Sequence, residues 1–156
     1  MRAEYFNPFI SATTEVFRTM LACELNRGQL GLKQNRSPLF EVSGMIGISG
    51  SLHGMVVVSL GRETAITATE ILVGVRPEGL NSDVTDCVGE IANMIAGAAK
   101  TRLQESDLSI SLPTVVCGKN HLVSFPSQST PISLPFDSEL GPICVEIGLA
   151  PSLVAC

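Results

Sequence analysis

The longest stretch without a charged side chain covers Val42–Gly61, and it most restricts how this chain can fold. A stretch of that length can cross a membrane as a helix or form buried strands. Gly and Ser interrupt it repeatedly and His53 lies near its middle, so we predict strands and no membrane span. Its β-branched residues predict two strands, Leu39–Ser49 and Leu52–Leu60, with a tight turn at Gly50-Ser51 because glycine permits the backbone angles of such a turn. The chain therefore needs a sheet with a buried face.

Helical periodicity is found on both sides of this hairpin. The predicted helices are Asn7 to about Asn26, with Pro8 in its first turn; Arg62–Val73, ended by Gly74; and Asn81 or Ser82 to about Glu105. The segment Asn26–Pro38 is predicted to be a loop. Beyond Asp107, β-branched residues among Gly, Pro and Ser predict strands separated by turns. We therefore predict an α+β fold, a largely antiparallel sheet with the N-terminal and long helices packed on one face.

The composition excludes several classes of function. A chain of 156 residues fits a single domain, 1–156. Ten Lys and Arg against 15 Asp and Glu give a net charge of −5, so neither a nucleic acid nor a membrane surface is an expected partner. The five cysteines are an odd number without a C-x-x-C pair, so we expect them to be reduced. Residues 1–6 do not resemble an export signal, and a cytoplasmic location is expected.

The long helix carries a polar stripe beside its core face. Asp86, Glu90, Asn93 and Gly97 follow one another at four, three and four residues, which places them within an arc of about 60°. The core face is predicted to consist of Val84, Cys87, Val88, Ile91, Met94, Ile95 and Ala98. An acid and an amide therefore lie one turn apart on one surface, although E-x-x-N alone is a weak motif.

The rest of that side is smooth, because Gly89, Ala92 and Ala96 stand where a solvated helix usually carries long polar side chains. Each glycine inside a helix costs about 1 kcal/mol relative to alanine, so Gly89 and Gly97 need a reason. Either another element of the same domain packs closely against them, or they mark a functional surface. The residues by themselves leave both readings open.

Conventional machinery for hydrolysis is missing from the sequence. No cysteine is followed by the arginine of a C-x5-R phosphate loop, and there is no D-x-D nucleophile or Gly-rich loop ending in Gly-Lys-Ser/Thr. With only His53 and His121 and no cysteine pair, no metal site is expected, and each histidine is interpreted as an ordinary strand or loop residue. The chain is thus predicted to own neither a nucleophile nor a metal.

Three blocks of sequence occur together in a fixed order. They are Gly44–Gly50 followed by Gly54–Ser59; Asp86-x3-Glu90-x2-Asn93-Met94-x2-Gly97; and Pro113–Gly118. This order, with a helix between the first two blocks, resembles the CheC/CheX/FliY family of chemotaxis phosphatases, and most of all its CheX branch. The resemblance extends over about residues 5–150 and is far more specific than E-x-x-N alone.

The resemblance implies a phosphatase for the aspartyl phosphate of a CheY-like response regulator, which itself supplies Mg²⁺ and a lysine, so this chain would need no cofactor of its own. Asn93 would hold water in line with the phosphorus atom, its amide oxygen accepting and its NH₂ donating a hydrogen bond. Glu90 would pair with the regulator's lysine. Asp86 would support docking or orient Glu90, and Gly89 and Gly97 would let the helix approach the partner's loops.

The N-terminal helix departs from the pattern of the family's two-motif members. Their second E-x-x-N would fall on Glu15 and residue 18, where this chain has Arg18 instead of asparagine. One active centre per chain is therefore implied, and Glu15 is interpreted as a surface charge. The alternative function is a non-catalytic interaction module, because flagellar switch components share this fold.

The resemblance also implies a homodimer, because CheX-like proteins form dimers joined through an extended sheet. The segment His121–Phe136 contains Pro126, Pro131 and Pro135. Because proline cannot donate a ladder hydrogen bond, these prolines are expected at a sheet edge or in an exposed loop.

Overall fold

The computed structural model describes residues 2–33, 40–105, 107–126 and 128–153. Its helices and strands are α1 Ala3–Leu21, β1 Asn26–Arg27, β2 Gly31–Leu32, β3 Val42–Ser49, β4 Leu52–Leu60, α2 Arg62–Val73, α3 Ser82–Arg102, β5 Ser109–Ile110, β6 Thr114–Cys117, β7 Ile132–Asp137 and β8 Ile143–Pro151. The strands form one sheet in the order β1-β7-β8-β4-β3-β5, in which β2 also pairs with β7 and β6 with β3. All these pairs are antiparallel, and the predicted α+β fold is confirmed.

The predicted hairpin lies at the centre of the sheet. β3 and β4 pair from Val42 opposite Leu60 to Ile48 opposite Gly54, and Gly50 in the turn has a φ of 125° that favours glycine. On its other side β4 pairs with β8 along its whole length. The predicted start of the first strand, Leu39, lies outside the described residues. None of the described helices is long and apolar enough to cross a membrane.

Local signals set the C-terminal end of α2 and the start of α3. Gly74 ends α2 as predicted, with a φ of 90° and its N–H donating to the Glu70 carbonyl at 2.8 Å. Asn81 caps α3, because its side-chain oxygen accepts a hydrogen bond from the Val84 N–H at 3.2 Å. α3 ends at Arg102, short of the predicted Glu105, because Leu103 has an extended backbone and is buried.

The first helix differs from the prediction at both ends. α1 begins at Ala3, so Pro8 lies inside the helix and not in its first turn. It ends at Leu21 because Ala22 is left-handed with a φ of 48°, and the Cys23 N–H closes the end on the Phe17 carbonyl at 3.1 Å. The predicted loop from Asn26 contains the short strands β1 and β2, which pair with β7 far along the chain.

Of the three prolines in the segment His121–Phe136, Pro126 and Pro131 lie outside the strands, and Pro135 lies in the sheet but not at its outermost edge. Pro135 belongs to β7, whose outer side is paired with β1 and β2. Its carbonyl accepts a hydrogen bond from the Gly28 N–H at 2.8 Å, in the gap between these two strands. The N and O atoms of one residue in a strand point to the same side. The N–H that Pro135 lacks would therefore point into the gap between β1 and β2.

The two faces of the sheet are covered differently. The main core lies between the sheet and the helices, and its largest fully buried side chains include Phe9, Phe17, Ile46, Ile91 and Ile95. The other face holds a buried ion pair between Lys33 Nζ and Glu146 Oε2. On that face, His121 hydrogen-bonds the Gly118 carbonyl at 2.7 Å and the buried Ser43 hydroxyl at 2.9 Å.

Candidate functional site

The packing of α3 turns the polar stripe outward. Val88, Ile91 and Ile95 are fully buried in the core, whereas Asp86 and Glu90 are exposed. Asn93 and Gly97, further along the stripe, are half-buried. Spacing on the helix therefore keeps the amide of Asn93 one turn from the carboxylate of Glu90, at a position that is not sealed inside the molecule. Of the predicted core face, Met94 and Ala98 are only partly buried.

An open groove of about 520 Å³ runs between α3 and β6. It is lined by Thr85, Asp86, Gly89 and Glu90 from the helix and by Pro113 and Val115 from the segment opposite. Neither Asp86 nor Glu90 pairs with a cation among the described residues. The groove thus has an acidic side and an apolar side, and its acidic side is available to a positively charged group from outside.

Gly89 is accounted for by packing within the domain. A Cβ atom at this position would lie 3.2 Å from Val115 Cγ2 and 3.5 Å from Pro113 Cγ. The missing side chain therefore lets the segment of β6 approach the helix and form the groove. The sequence pattern did not single out Pro113 or Val115 as groove residues, although a glycine inside a helix indicates that something packs against it.

The smooth side of α3 is a packing surface along most of its length. Ala92 and Ala96 are buried, so of the two readings left open for the smooth side, close packing within the domain applies to these two residues. A Cβ atom on Gly44 of β3 would lie 2.9 Å from the Ala92 Cβ and 3.1 Å from the Val88 carbonyl oxygen. The small residues therefore let α3 lie directly on the backbone of β3.

Gly97 has no such explanation. A Cβ atom there would meet no atom of the described residues within 4 Å, and the residue has no positive φ. Neither close packing inside the domain nor backbone geometry requires glycine at this point of the stripe. Gly97 therefore differs from Gly89 and remains a candidate for contact with a partner.

On α1, ion pairs occupy the two positions at which the family's two-motif members carry a second E-x-x-N. Glu15 pairs with Arg102 of α3, and Arg18 Nε lies 2.9 Å from Glu24 Oε1. Glu15 is exposed, as expected of a surface charge, and its carboxylate in addition joins α1 to the end of α3. Sequence periodicity could not show this contact, since the two residues belong to different helices.

Three of the described cysteines are poor nucleophiles. Cys23, Cys87, Cys117 and Cys144 are free, and Cys156 lies outside the described residues. Burial raises the pKa of Cys87 and Cys117, and raises that of Cys144 to about 11. A thiol with a raised pKa carries little thiolate at neutral pH. Within the described ranges, no group of three or more His, Cys, Asp and Glu could hold a metal ion.

Comparison with known proteins identifies the family. The family model described as "Chemotaxis phosphatase CheX" matches residues 42–137, which is more than half of the chain. A CheY-P phosphatase CheX from Thermotoga maritima is 27% identical over 123 residues, covering 77% of this chain and 79% of the relative.

Solved structures agree with this match along nearly the whole chain. A chemotaxis protein CheX from Vibrio vulnificus is 36% identical, with a TM-score of 0.87 and coverage of 95% of this chain and 100% of the other. A CheX-CheY-BeF₃-Mg²⁺ complex from Borrelia burgdorferi is 27% identical, with a TM-score of 0.79 and coverage of 95% and 99%. By sequence and by fold, this chain belongs to the CheX family of chemotaxis phosphatases.

Proposed function

We propose that this chain hydrolyses the aspartyl phosphate of a CheY-like response regulator, with Asn93 orienting the attacking water and Glu90 docking the regulator's lysine. The observation that carries the proposal is that an exposed Glu90 lies one helical turn from a half-buried Asn93, beside an open acidic groove. The Borrelia burgdorferi complex, in which a similar chain is bound to CheY, supports the choice of partner.

Hydrolysis of an acyl phosphate needs little from this chain. Water forms a bond to phosphorus, the bond between phosphorus and the aspartate oxygen breaks, and the products are a carboxylate and inorganic phosphate, with the water proton passing to phosphate or solvent. Asn93 holds this water through its amide oxygen and NH₂, which accept and donate hydrogen bonds without ionising. The magnesium ion belongs to the regulator and neutralises the charge on the phosphoryl oxygens.

The acidic side of the groove requires a cation on the partner. Asp86 and Glu90 would repel a dianionic phosphoryl group if no positive charge lay between them. A lysine beside the phosphorylated aspartate forms an ion pair with Glu90 and fixes the register of docking. Asp86, on the turn of helix before Glu90, adds to the same field and supports docking.

The test is turnover of phosphorylated regulator by substoichiometric amounts of this protein. We expect the wild type to release phosphate many times per molecule. Asn93→Ala should lower kcat at least about 100-fold because the water is no longer positioned. It should still bind regulator carrying beryllofluoride, a stable mimic of the phosphoryl group. Glu90→Ala should weaken binding about tenfold or more and should lower turnover as well.

Two matched variants serve as controls. Asn7→Ala removes an exposed asparagine from α1, and Glu78→Ala removes an exposed glutamate from the turn before α3. Both should behave as the wild type. Full activity of Asn93→Ala would overturn the mechanism, and a wild type that binds the regulator without turning it over would make the chain an interaction module.

A further inference from the structure

An exposed leucine stands next to the apolar side of the groove. Leu112 is 87% exposed and directly precedes Pro113, which together with Val115 lines the groove opposite Asp86 and Glu90. Water contact over nearly the whole of a large apolar side chain costs free energy that burial against a partner would recover. Nothing in the proposed chemistry at Asn93 and Glu90 uses this residue.

The segment that carries Leu112 is held firmly in place. The strands on either side of it, β5 and β6, both pair with β3. The Ser111 N–H donates to the Gly47 carbonyl at 2.9 Å, and the Gly47 N–H donates to the Ser111 hydroxyl at 2.8 Å. The same hydroxyl donates to the Leu112 carbonyl at 2.9 Å. Because the backbone is already fixed, ordering it costs little when a partner binds.

We propose that Leu112 is a docking residue for the phosphorylated regulator, where it contacts an apolar patch beside the cation that Glu90 binds. This inference rests on the proposed function. Leu112 extends the apolar side of the groove in sequence, and Asp86 and Glu90 on the acidic side pair with no cation among the described residues. The complementary partner surface therefore carries an apolar group next to a positive charge. Leu112 thus contributes to affinity for the regulator and takes no part in the chemical step.

The experiment separates KM from kcat for phosphorylated regulator. We expect Leu112→Ala to raise KM about tenfold, the scale on which truncation of an anchoring side chain acts, and to leave kcat within about twofold of the wild type. Leu112→Met, which keeps the apolar volume, should restore KM to near the wild-type value. Leu32→Ala is the matched control, because Leu32 is a 63% exposed leucine in β2 at the opposite edge of the sheet.

The outcomes distinguish this inference from the proposed function. An unchanged KM in Leu112→Ala, together with an inactive Asn93→Ala, overturns the docking role and leaves the phosphatase mechanism intact. A lower kcat at unchanged KM also overturns it, as does an equal rise of KM in Leu32→Ala. Sedimentation and thermal unfolding of each variant complete the test, because a change of oligomeric state in Leu112→Ala would make this residue a contact between copies of the chain. Full activity of Asn93→Ala, by contrast, overturns the proposed function itself.

Discussion

Gly89 and Gly97 lie on the same side of α3 but have opposite surroundings. A Cβ atom would be crowded by Val115 at Gly89 and would enter open space at Gly97. Since alanine favours a helix over glycine by about 1 kcal/mol, Gly97 weakens the helix without any gain in packing. Residues that break a local rule in this way tend to serve function.

Substitution of the two glycines by alanine should therefore give different results. We expect Gly97→Ala to raise the free energy of unfolding by up to about 1 kcal/mol, measured by urea denaturation, because the helix gains propensity and no atom is displaced. The same variant should raise KM for the phosphorylated regulator, because the added methyl group holds the partner away from α3.

Gly89→Ala is the internal comparison for this pair of effects. There the added methyl group forces Val115 to move, so the gain in stability is expected to be lost. A Gly97→Ala protein that is both more stable and fully active would remove Gly97 from the proposed docking surface.

A buried ion pair ties the segment after β2 to the centre of β8. The side chains of Lys33 and Glu146 are 6% and 2% exposed, and Glu146 Oε1 has no hydrogen-bond partner among the described residues. The ring of Phe125 lies 5.4 Å from Lys33 Nζ. Removal of charge from water is expensive, so loss of one partner of such a pair leaves the other as an uncompensated buried charge.

Double substitution should therefore be milder than either single substitution. We expect Glu146→Leu and Lys33→Met each to lower the free energy of unfolding by about 3–5 kcal/mol, because each leaves a buried charge unpaired. The double variant Lys33→Met/Glu146→Leu should be about as stable as the wild type or more stable. Urea unfolding of the four proteins provides a double-mutant cycle, and additive losses would contradict this account.

The same pair gives the stability of the protein a dependence on pH. Burial raises the pKa of Glu146, and the hydrogen bond and charge of Lys33 only partly offset this. The pKa of a glutamate in the unfolded chain is about 4.3. Between that pH and the raised pKa of Glu146, the folded protein therefore binds more protons than the unfolded chain. The contribution of Glu146 to the free energy of unfolding is therefore expected to fall as pH rises through this window.

This fall is measured by comparing the wild type with the double variant. Urea unfolding from about pH 4 to about pH 7 should show their difference in free energy changing with pH in favour of the double variant. A difference that is constant over the range would show that Glu146 titrates alike in the folded and unfolded protein.

Elements with strong local signals could be predicted from the sequence. Gly50, Gly74 and Asn81 mark a turn, a helix end and a helix start through backbone conformation or a bond to a residue nearby in sequence. β1 and β2 were missed because each is held by a few bonds to β7, and such pairing leaves no periodicity in a short segment. The contact of Lys33 with Glu146 was missed for the same reason, since it joins distant parts of the chain.

The site was predictable to a different degree at each of its residues. The spacing of Asp86, Glu90 and Asn93 placed them on one face, and the fold keeps that face open to solvent or half-buried. The apolar side of the groove could not be predicted, because Pro113 and Val115 meet α3 only through the pairing of β6 with β3. The roles of Glu90 and Asn93 stay predictions until the variants are measured.

At the scale of the whole molecule, we expect a homodimer. β7 is covered on its outer side by β1 and β2, so an extended sheet across two copies would have to join the outer strands and not β7 itself. Sedimentation velocity at micromolar concentration should show a species of twice the chain mass of 16.5 kDa. A single species at the chain mass would contradict the expectation.

Gly44, in the interior of the molecule, helps to set the position of α3 and with it that of Asn93. A Cβ atom at residue 44 would come within 2.9 Å of the Ala92 Cβ and 3.1 Å of the Val88 carbonyl oxygen, so the absence of a side chain here lets α3 lie as close to β3 as it does. One methyl group at residue 44 would lift the helix by a fraction of an ångström and leave every solvent-facing residue unchanged in identity. The reach into a partner that we propose for Asn93 can therefore be adjusted by substitutions in the core that no survey of surface residues would reveal.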